Sequence, residues 1–428
     1  MTDTIVASDG PETKLKRSAT ALLLFFFIVG DTLGAGIYTL VGRMAVDVGG
    51  ALWLPLIVAL VLALLTAGTY AELITKYPHA GGAARYAERA FDKPYVTFLI
   101  GFLMLASGIT TSAALANAFA GDYLKALVDL PSVPVTLGFL VILIAVNIRG
   151  VRESLMANVV ATMVEISGLV IIIVVAAIVF GNGDGDVSRI TTFAEGIGPM
   201  EGAFAASITA FFSFLGFEAA ANMAEEVKQP SRSYPRALFG AILTAGGVYL
   251  LIALGASIVV PTEQLATSEG PLLEVINASG VDFPPWLFAA IALVAIANGA
   301  LLFLVMASRA TYGLAEAGLL PEVFGRVAAQ RRTPWVAILA VGAVTMAMSF
   351  VGDVGVLAET TVLLLVLVFI SANVSVLALA ASILLLTQQA AQTWLIAGGY
   401  VVVGSALYFI ARQARNRELA AGTAALED

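Results

Sequence analysis

Gly30-Asp31-Thr32-Leu33-Gly34-Ala35-Gly36-Ile37-Tyr38 sits in the middle of an apolar run that starts near Ala19. Each glycine weakens a helix by roughly 1 kcal/mol relative to alanine, and Gly30, Gly34 and Gly36 fall together here. A backbone N–H or C=O freed in hydrocarbon has no water to bond. A broken membrane helix is therefore tolerated only where protein buries the break or the break lines a polar cavity. Asp31 lies in the same stretch, and an acid at membrane depth is costly enough to point to function. The competing reading is a close helix–helix contact built on small residues. The first reading is preferred: an interrupted helix at a binding site.

Composition sets the class around this stretch. The chain has 428 residues, of which 60% are hydrophobic and only 12% charged, against about 25% charged in a soluble domain. Runs of about 20 apolar residues, the length that spans hydrocarbon, recur along the sequence. Met1–Thr13 is polar and the first apolar run is a full span, so no cleavable signal is expected. With no cysteine, disulfides, thiolate metal sites and cysteine nucleophiles are excluded. His79 is the single histidine and falls in a loop, so neither a histidine metal cluster nor a catalytic triad is expected, and no cofactor.

Apolar runs place spans near 19–42, 51–73, 95–121, 133–149, 155–181, 202–224, 236–260, 284–308, 335–351, 357–387 and 393–411. Numbered from a cytoplasmic N-terminus, the loops obey the positive-inside rule. Of the 22 basic residues, all but Arg43, Lys125 and Arg189 fall inside, while the opposite loops carry Asp184, Asp186, Glu195, Glu263, Glu269, Glu274 and Asp282. The expected location is the inner or plasma membrane, with the lipid bilayer as a partner. The basic residues are too dispersed for nucleic acid. Thr360 to Thr387 carries no charge and breaks the count, being long for one helix and short for two. Eleven and twelve spans both stay open.

The sixth span reads Ile208-Thr209-Ala210-Phe211-Phe212-Ser213-Phe214-Leu215-Gly216-Phe217-Glu218, followed by Asn222, Glu225 and Glu226. A glycine and an acid again fall together mid-span. Spans 1–5 begin inside and spans 6–10 outside, so a five-helix repeat would be inverted, and inverted repeats with broken first helices are the pattern of many secondary transporters. Half-helix N-termini would offer bare N–H groups and positive dipole ends to a carboxylate, and the opposite ends carbonyls to an ammonium group. A zwitterion such as an α-amino acid matches both. The expected layout is a cytoplasmic tail at 1–18, repeats at 19–181 and 200–380, one or two further spans within 381–412, and a second cytoplasmic tail at 413–428. Phe211, Phe212, Phe214 and Phe217 divide between plain packing and one gate over the substrate.

Gly34-Ala35-Gly36-Ile37 resembles the glycine-rich signature of the amino acid–polyamine–organocation permeases. Phe212 to Glu218 is similar to that family's sixth span. Glu225-Glu226-Val227-Lys228-Gln229-Pro230-Ser231-Arg232-Ser233-Tyr234-Pro235-Arg236-Ala237 resembles the loop after it, and Ser308-Arg309-Ala310-Thr311-Tyr312-Gly313-Leu314-Ala315 the end of its eighth span. The resemblance covers about residues 15–375. It implies an all-α integral membrane protein with the leucine-transporter fold, a 5+5 inverted repeat with helices 1 and 6 broken, and alternating access. It also implies a substrate site at Thr32, Gly34, Ala35, Gly36, Phe212 and Leu215. Ala35 and Gly36 would meet the substrate carboxylate, the carbonyls of Thr32, Phe212 and Leu215 its ammonium group, and the Phe212 ring would be the gate.

Two features depart from the family. Many members carry a lysine in the fifth span, in an N-x-x-x-T-x-x-K pattern, where its ammonium stands in for sodium. Here Asn158-Val159-Val160-Ala161-Thr162-Met163-Val164 leads to Glu165. The basic, proline-containing loop usual between spans 10 and 11 is absent. Asp31, Glu165 and Glu218 thus lie within spans with no lysine or arginine at comparable depth. Burial disfavours the charged carboxylate, so such a group can take up a proton near neutral pH and release it when its cavity wets. The ionised form can instead hold a cation.

The expected function is secondary active amino acid transport by proton-coupled symport, with a sodium-coupled or uncoupled amino acid or polyamine exchanger as the alternative. The substrate would be an amino acid or amine, moved with protons or sodium. Of other classes, a receptor on the same fold would call for a long soluble signalling domain, which is not seen. An enzyme would need a nucleophile–base pair or metal cluster, and neither is present. Pro78 to Lys93, with Arg85, Tyr86, Glu88 and Arg89, is expected to hold a short interfacial helix and is one candidate for an inner gate.

Overall fold

The computed structural model describes residues 20–76, 82–149, 152–218, 220–221, 227–329, 331, 333–373 and 389–427. His79, Asn222, Glu225, Glu226 and the N-terminal tail lie outside the described residues. The first apolar run forms two helices, α1 (Ala21–Thr32) and α2 (Ala35–Val48), bent by 42° at Leu33-Gly34. Thr20 caps α1, its Oγ1 accepting from Leu23 N. The helix stops where glycine enters: Leu33 N still reaches Val29 O, but α2 restarts at Gly34 with no side-chain cap.

The remaining helices follow in order. They are α3 (Trp53–Lys76), α4 (Gly82–Phe91), α5 (Pro94–Phe119), α6 (Asp122–Lys125), α7 (Ser132–Arg149), α8 (Arg152–Asn182), α9 (Pro199–Ser213) and α10 (Pro230–Val259). The chain continues through α11 (Thr262–Thr267), α12 (Pro271–Ala278), α13 (Pro285–Glu316), α14 (Trp335–Met348), α15 (Val354–Ala372) and α16 (Ala391–Glu427). No strand element occurs among the described residues. Among the described residues eight helices are long and apolar enough to cross a membrane, or up to nine with the bent α1–α2 pair. The two expected spans outside that number are the fourteen-residue α14 and the α9 run, which stops being helical at Ser213.

Packing sorts the helices into two bodies. α1 and α3 lie against α10, and α2 and α3 against α9. α5, α7, α13 and α14 pack among themselves, with α8 bridging between α10 and α13 and α15 bridging between α5 and α9. Large apolar side chains such as Leu22, Val141, Ile142, Phe180, Leu395 and Val402 stay exposed on the outer faces. That suits helices whose solvent on that side is lipid.

Two boundaries differ from the sequence reading. The expected span 357–387 is not one helix: α15 ends at Ala372, with Asn373 N closing on Phe369 O at 2.7 Å, and residues 374–388 lie outside the described set. The apolar span of α16 covers Ala391–Gln413, but its helix runs on past the span to Glu427. The sequence beyond Arg412 is rich in alanine, glutamate and arginine, strong helix formers that continue the turn without an apolar face.

Candidate substrate site

The N-terminus of α2 opens into the protein interior. Its first N–H groups have no helical acceptor, and no side chain caps them. Ala35 and Gly36 line a cavity there, together with Asp31, Thr32 and Gly34. A β-carbon on Gly36 would sit 2.8 Å from Ser213 Cα and 3.3 Å from the Phe212 ring, so only glycine lets α2 approach α9 this closely. Gly30 works the same way, since a β-carbon there would meet the Thr162 methyl at 2.7 Å. Gly30 and Gly36 therefore make the close helix–helix contacts of the competing reading, and the helix breaks at Gly34 beside a cavity.

The second break faces the first. α9 ends at Ser213, and the chain continues through Phe214 to Glu218 in a non-helical turn. Gly216 has φ +120°, where a side chain is strained, and a β-carbon on it would meet Asp31 O at 2.8 Å and Asp31 Cγ at 3.1 Å. Glu218 bends back so that its Oε2 accepts the Gly216 N–H at 2.8 Å. Tyr249, on α10, joins the two breaks: its hydroxyl lies against Thr32 O and donates also toward Ser213 O at 2.8 Å. One hydroxyl proton is thus shared by the carbonyl ends of both interrupted helices.

The cavity between the breaks has a volume of about 20 Å³, little more than one water requires on the same measure (about 10–15 Å³). Phe212, Ser213, Leu215, Glu165 and Asn298 complete much of its wall. The Glu165 carboxylate reaches toward Gly34 from α8, with Asn298 of α13 beside it. Asp31 lies within electrostatic reach of both Glu165 and Glu218. Four buried oxygens at the breaks have no hydrogen-bond partner among the described residues: Thr32 Oγ1, Ser213 Oγ, Glu165 Oε1 and Glu218 Oε1. Buried polar atoms are rarely left so, and their concentration here marks the most polar part of the interior.

Both ends of the cavity are closed. On the Arg43 side, Arg43 of α2 meets Glu359 of α15 at 3.4 Å, α11 lies directly against α2 at Gly42, and Lys125 reaches Glu269 at 3.2 Å. On the α4 side, Tyr70 is the hub of an aromatic cluster. It makes edge contacts with Tyr86 of α4, with Phe217 and with Phe369, at centroid distances of 6.1, 5.9 and 5.6 Å.

Of the residues singled out from sequence, Asp31, Thr32, Gly34, Ala35, Gly36, Glu165, Phe212 and Leu215 all line this one cavity. Glu218 does not; it sits behind Gly216. Thr32 O and Phe212 O already accept bonds, from Tyr249 and from Leu215 N, leaving each carbonyl one further lone pair. Phe211, Phe214 and Phe217 are fully buried in ring contacts, and only Phe212 faces the cavity. The described part of the expected interfacial segment is α4, with Tyr86 turned inward. Sequence reasoning missed Tyr249, Ser213 and Asn298. Asn298, a polar residue in an otherwise apolar run, was the only one carrying a signal.

A helix broken at Leu33-Gly34 meets the end of α9 at a polar cavity, and the described residues hold eight apolar helices long enough to span, or up to nine with the bent pair, which makes this a multi-pass membrane protein. The amino acid permease family matches residues 20–411, and the chain belongs to it. It is 28% identical over 395 residues to the vacuolar cationic amino acid transporter 4 of Arabidopsis thaliana, covering 88% of this chain and 65% of that protein. It is 30% identical over 346 residues to an uncharacterized transporter of Mycobacterium tuberculosis, covering 80% and 75%. The branched-chain amino acid permease BcaP of Bacillus subtilis is 25% identical over 355 residues, covering 78% and 74%. The chain spans 65%, 55% and 60% of three Arabidopsis transporters that it matches.

Proposed function

We propose that this chain is a secondary active amino acid transporter of the plasma membrane, working by alternating access with proton symport. The observation that carries the reading is the cavity itself. Unbonded N–H groups of α2 and the unpartnered Glu165 Oε1 face one space, closed on both sides and too small for an amino acid as it stands. A substrate carboxylate would bind the N–H groups of Ala35 and Gly36. Its ammonium group would take the second lone pairs on Thr32 O and Phe212 O, together with Leu215 O. The Phe212 ring would cover it.

The 5+5 inverted repeat, 19–181 and 200–380, is supported by the sorting of the helices. Spans 1 and 2 share a body with spans 6 and 7, and spans 3 and 4 share the other with spans 8 and 9, as a repeat of five predicts. Rocking of one body against the other would open the Arg43 side outward and the Tyr70 side to the cytoplasm, where the N-terminus is placed. Glu165 is the coupling carboxylate, with Asp31 beside it; Glu218, held by Gly216 N–H, fixes the second break.

A second reading, sodium coupling, has its own observation: Thr32 Oγ1, Ser213 Oγ and Glu165 Oε1 offer a cation an all-oxygen set. The substrates for which the relatives are named, cationic and branched-chain amino acids, give the first panel to try. Three acids without a base suit a cationic amino acid, or a neutral one carried with a proton. Counterflow in proteoliposomes loaded with arginine, lysine, leucine or isoleucine tests the function. Exchange of labelled amino acid supports it, and no exchange across a panel of all twenty refutes it.

A further inference from the structure

A second cavity, of about 430 Å³, lies away from the breaks, between the C-terminal part of α13, the end of α7 and the turn that starts α14. Its wall holds Arg309 and Arg331 with Asn147, Ser308, Tyr312 and Thr333, and no carboxylate among the described residues. The two arginines are exposed, while Asn147, Ser308 and Thr333 are buried beneath them. Arg309 makes no ion pair among the described residues. Arg331 is steered by one bond from its Nη1 to Arg149 O at 3.4 Å, which puts a second guanidinium at the same mouth.

The floor is rigid. Asn147 Nδ2 donates to Ser308 Oγ at 3.2 Å, Ser308 Oγ to Val305 O at 3.0 Å, and Thr333 Oγ1 to Ile148 O at 3.0 Å. The floor hydroxyls spend their protons on backbone carbonyls, so the two planar guanidinium forks at the mouth are the donors that match a tetrahedral oxyanion. Trp335, 41% exposed at the first turn of α14, is the residue type that sits at headgroup level. Basic pockets between membrane helices on the cytoplasmic side suit anionic headgroups.

We propose that this pocket binds a phosphate group at the membrane surface, that of an anionic phospholipid headgroup, with Arg309 and Arg331 as its ligands. It lies in the body formed by α5, α7, α13 and α14, so a lipid there would brace that body without entering the substrate cavity. The site is independent of the proposed transport activity.

The test is native mass spectrometry of the full chain in detergent, titrated with phosphatidylglycerol and, separately, phosphatidylcholine. Phosphatidylglycerol is expected to be retained at least tenfold better than phosphatidylcholine, and Arg309→Gln with Arg331→Gln is expected to abolish that preference. Arg326→Gln, a basic residue on the same side outside the pocket, keeps it, and equal melting temperatures in detergent show that all variants are folded. Millimolar inorganic phosphate distinguishes the sources: failure to displace the lipid supports a headgroup site, while displacement supports a site for free phosphate chemistry and overturns the lipid assignment. Equal retention of the two lipids, or equal loss in Arg326→Gln, overturns the proposal.

Discussion

The Tyr249 hydroxyl donates toward the carbonyl of Ser213 at 2.8 Å while lying against the carbonyl of Thr32. A residue on α10 therefore ties together the carbonyl ends of two helices, α1 and α9. Replacing it by phenylalanine keeps the ring contact with Phe214 (5.2 Å between centroids) and removes only the proton. Tyr249→Phe is expected to cost about 1–3 kcal/mol of stability, the penalty of a buried acceptor left unbonded, seen as a lower melting temperature in detergent. It should lower amino acid exchange further than that loss of folded protein explains.

Glycines at the breaks and glycines elsewhere should behave oppositely. Gly216→Ala would force a β-carbon onto Asp31 at a positive φ, and Gly36→Ala would push α2 from Ser213. Strain of about 1–3 kcal/mol per overpacked site, if it falls on the transport step, corresponds to roughly five- to a hundredfold in rate, so both should lose most uptake while still reaching the membrane. Gly68 and Gly247 have open space around them. Gly68→Ala and Gly247→Ala should transport normally and melt at the same temperature or slightly higher, since alanine is the better helix former.

The opening stretch was legible because a local chemical conflict, glycines and an acid in hydrocarbon, leaves a mark on the sequence. Gly34 ends one helix and starts the next, as the pattern required. Tyr249 was not legible: it is one aromatic residue in an apolar helix, and its partners lie 217 and 36 residues away. The end of α15 at Ala372 was illegible for a different reason. Every residue from Val362 to Ala372 is apolar but Ser371, and beyond Asn373 and Ser375 the run is apolar again as far as Leu386 but for Ser382, so averaged hydropathy carries no stop signal there.

The two closures predict opposite changes in access. The chain has no native cysteine, so Leu302→Cys in the cavity wall is a clean reporter for a membrane-impermeant thiol reagent. Glu359→Gln removes the Arg43 contact, a partly exposed pair worth at most about 1 kcal/mol, and should raise labelling from the Arg43 side up to about fivefold. Tyr86→Ala removes a ring from the Tyr70 cluster and should raise labelling from the α4 side only.

The most direct test of the central account is uptake of a labelled substrate amino acid into sodium-free proteoliposomes, with and without an inward proton gradient. Wild type would be run beside Glu165→Gln. Accumulation above equilibrium that follows the gradient, and falls to simple equilibration in Glu165→Gln with exchange intact, is the predicted result. Uptake that ignores the gradient and requires sodium, or a Glu165→Gln variant that still accumulates substrate, would contradict it.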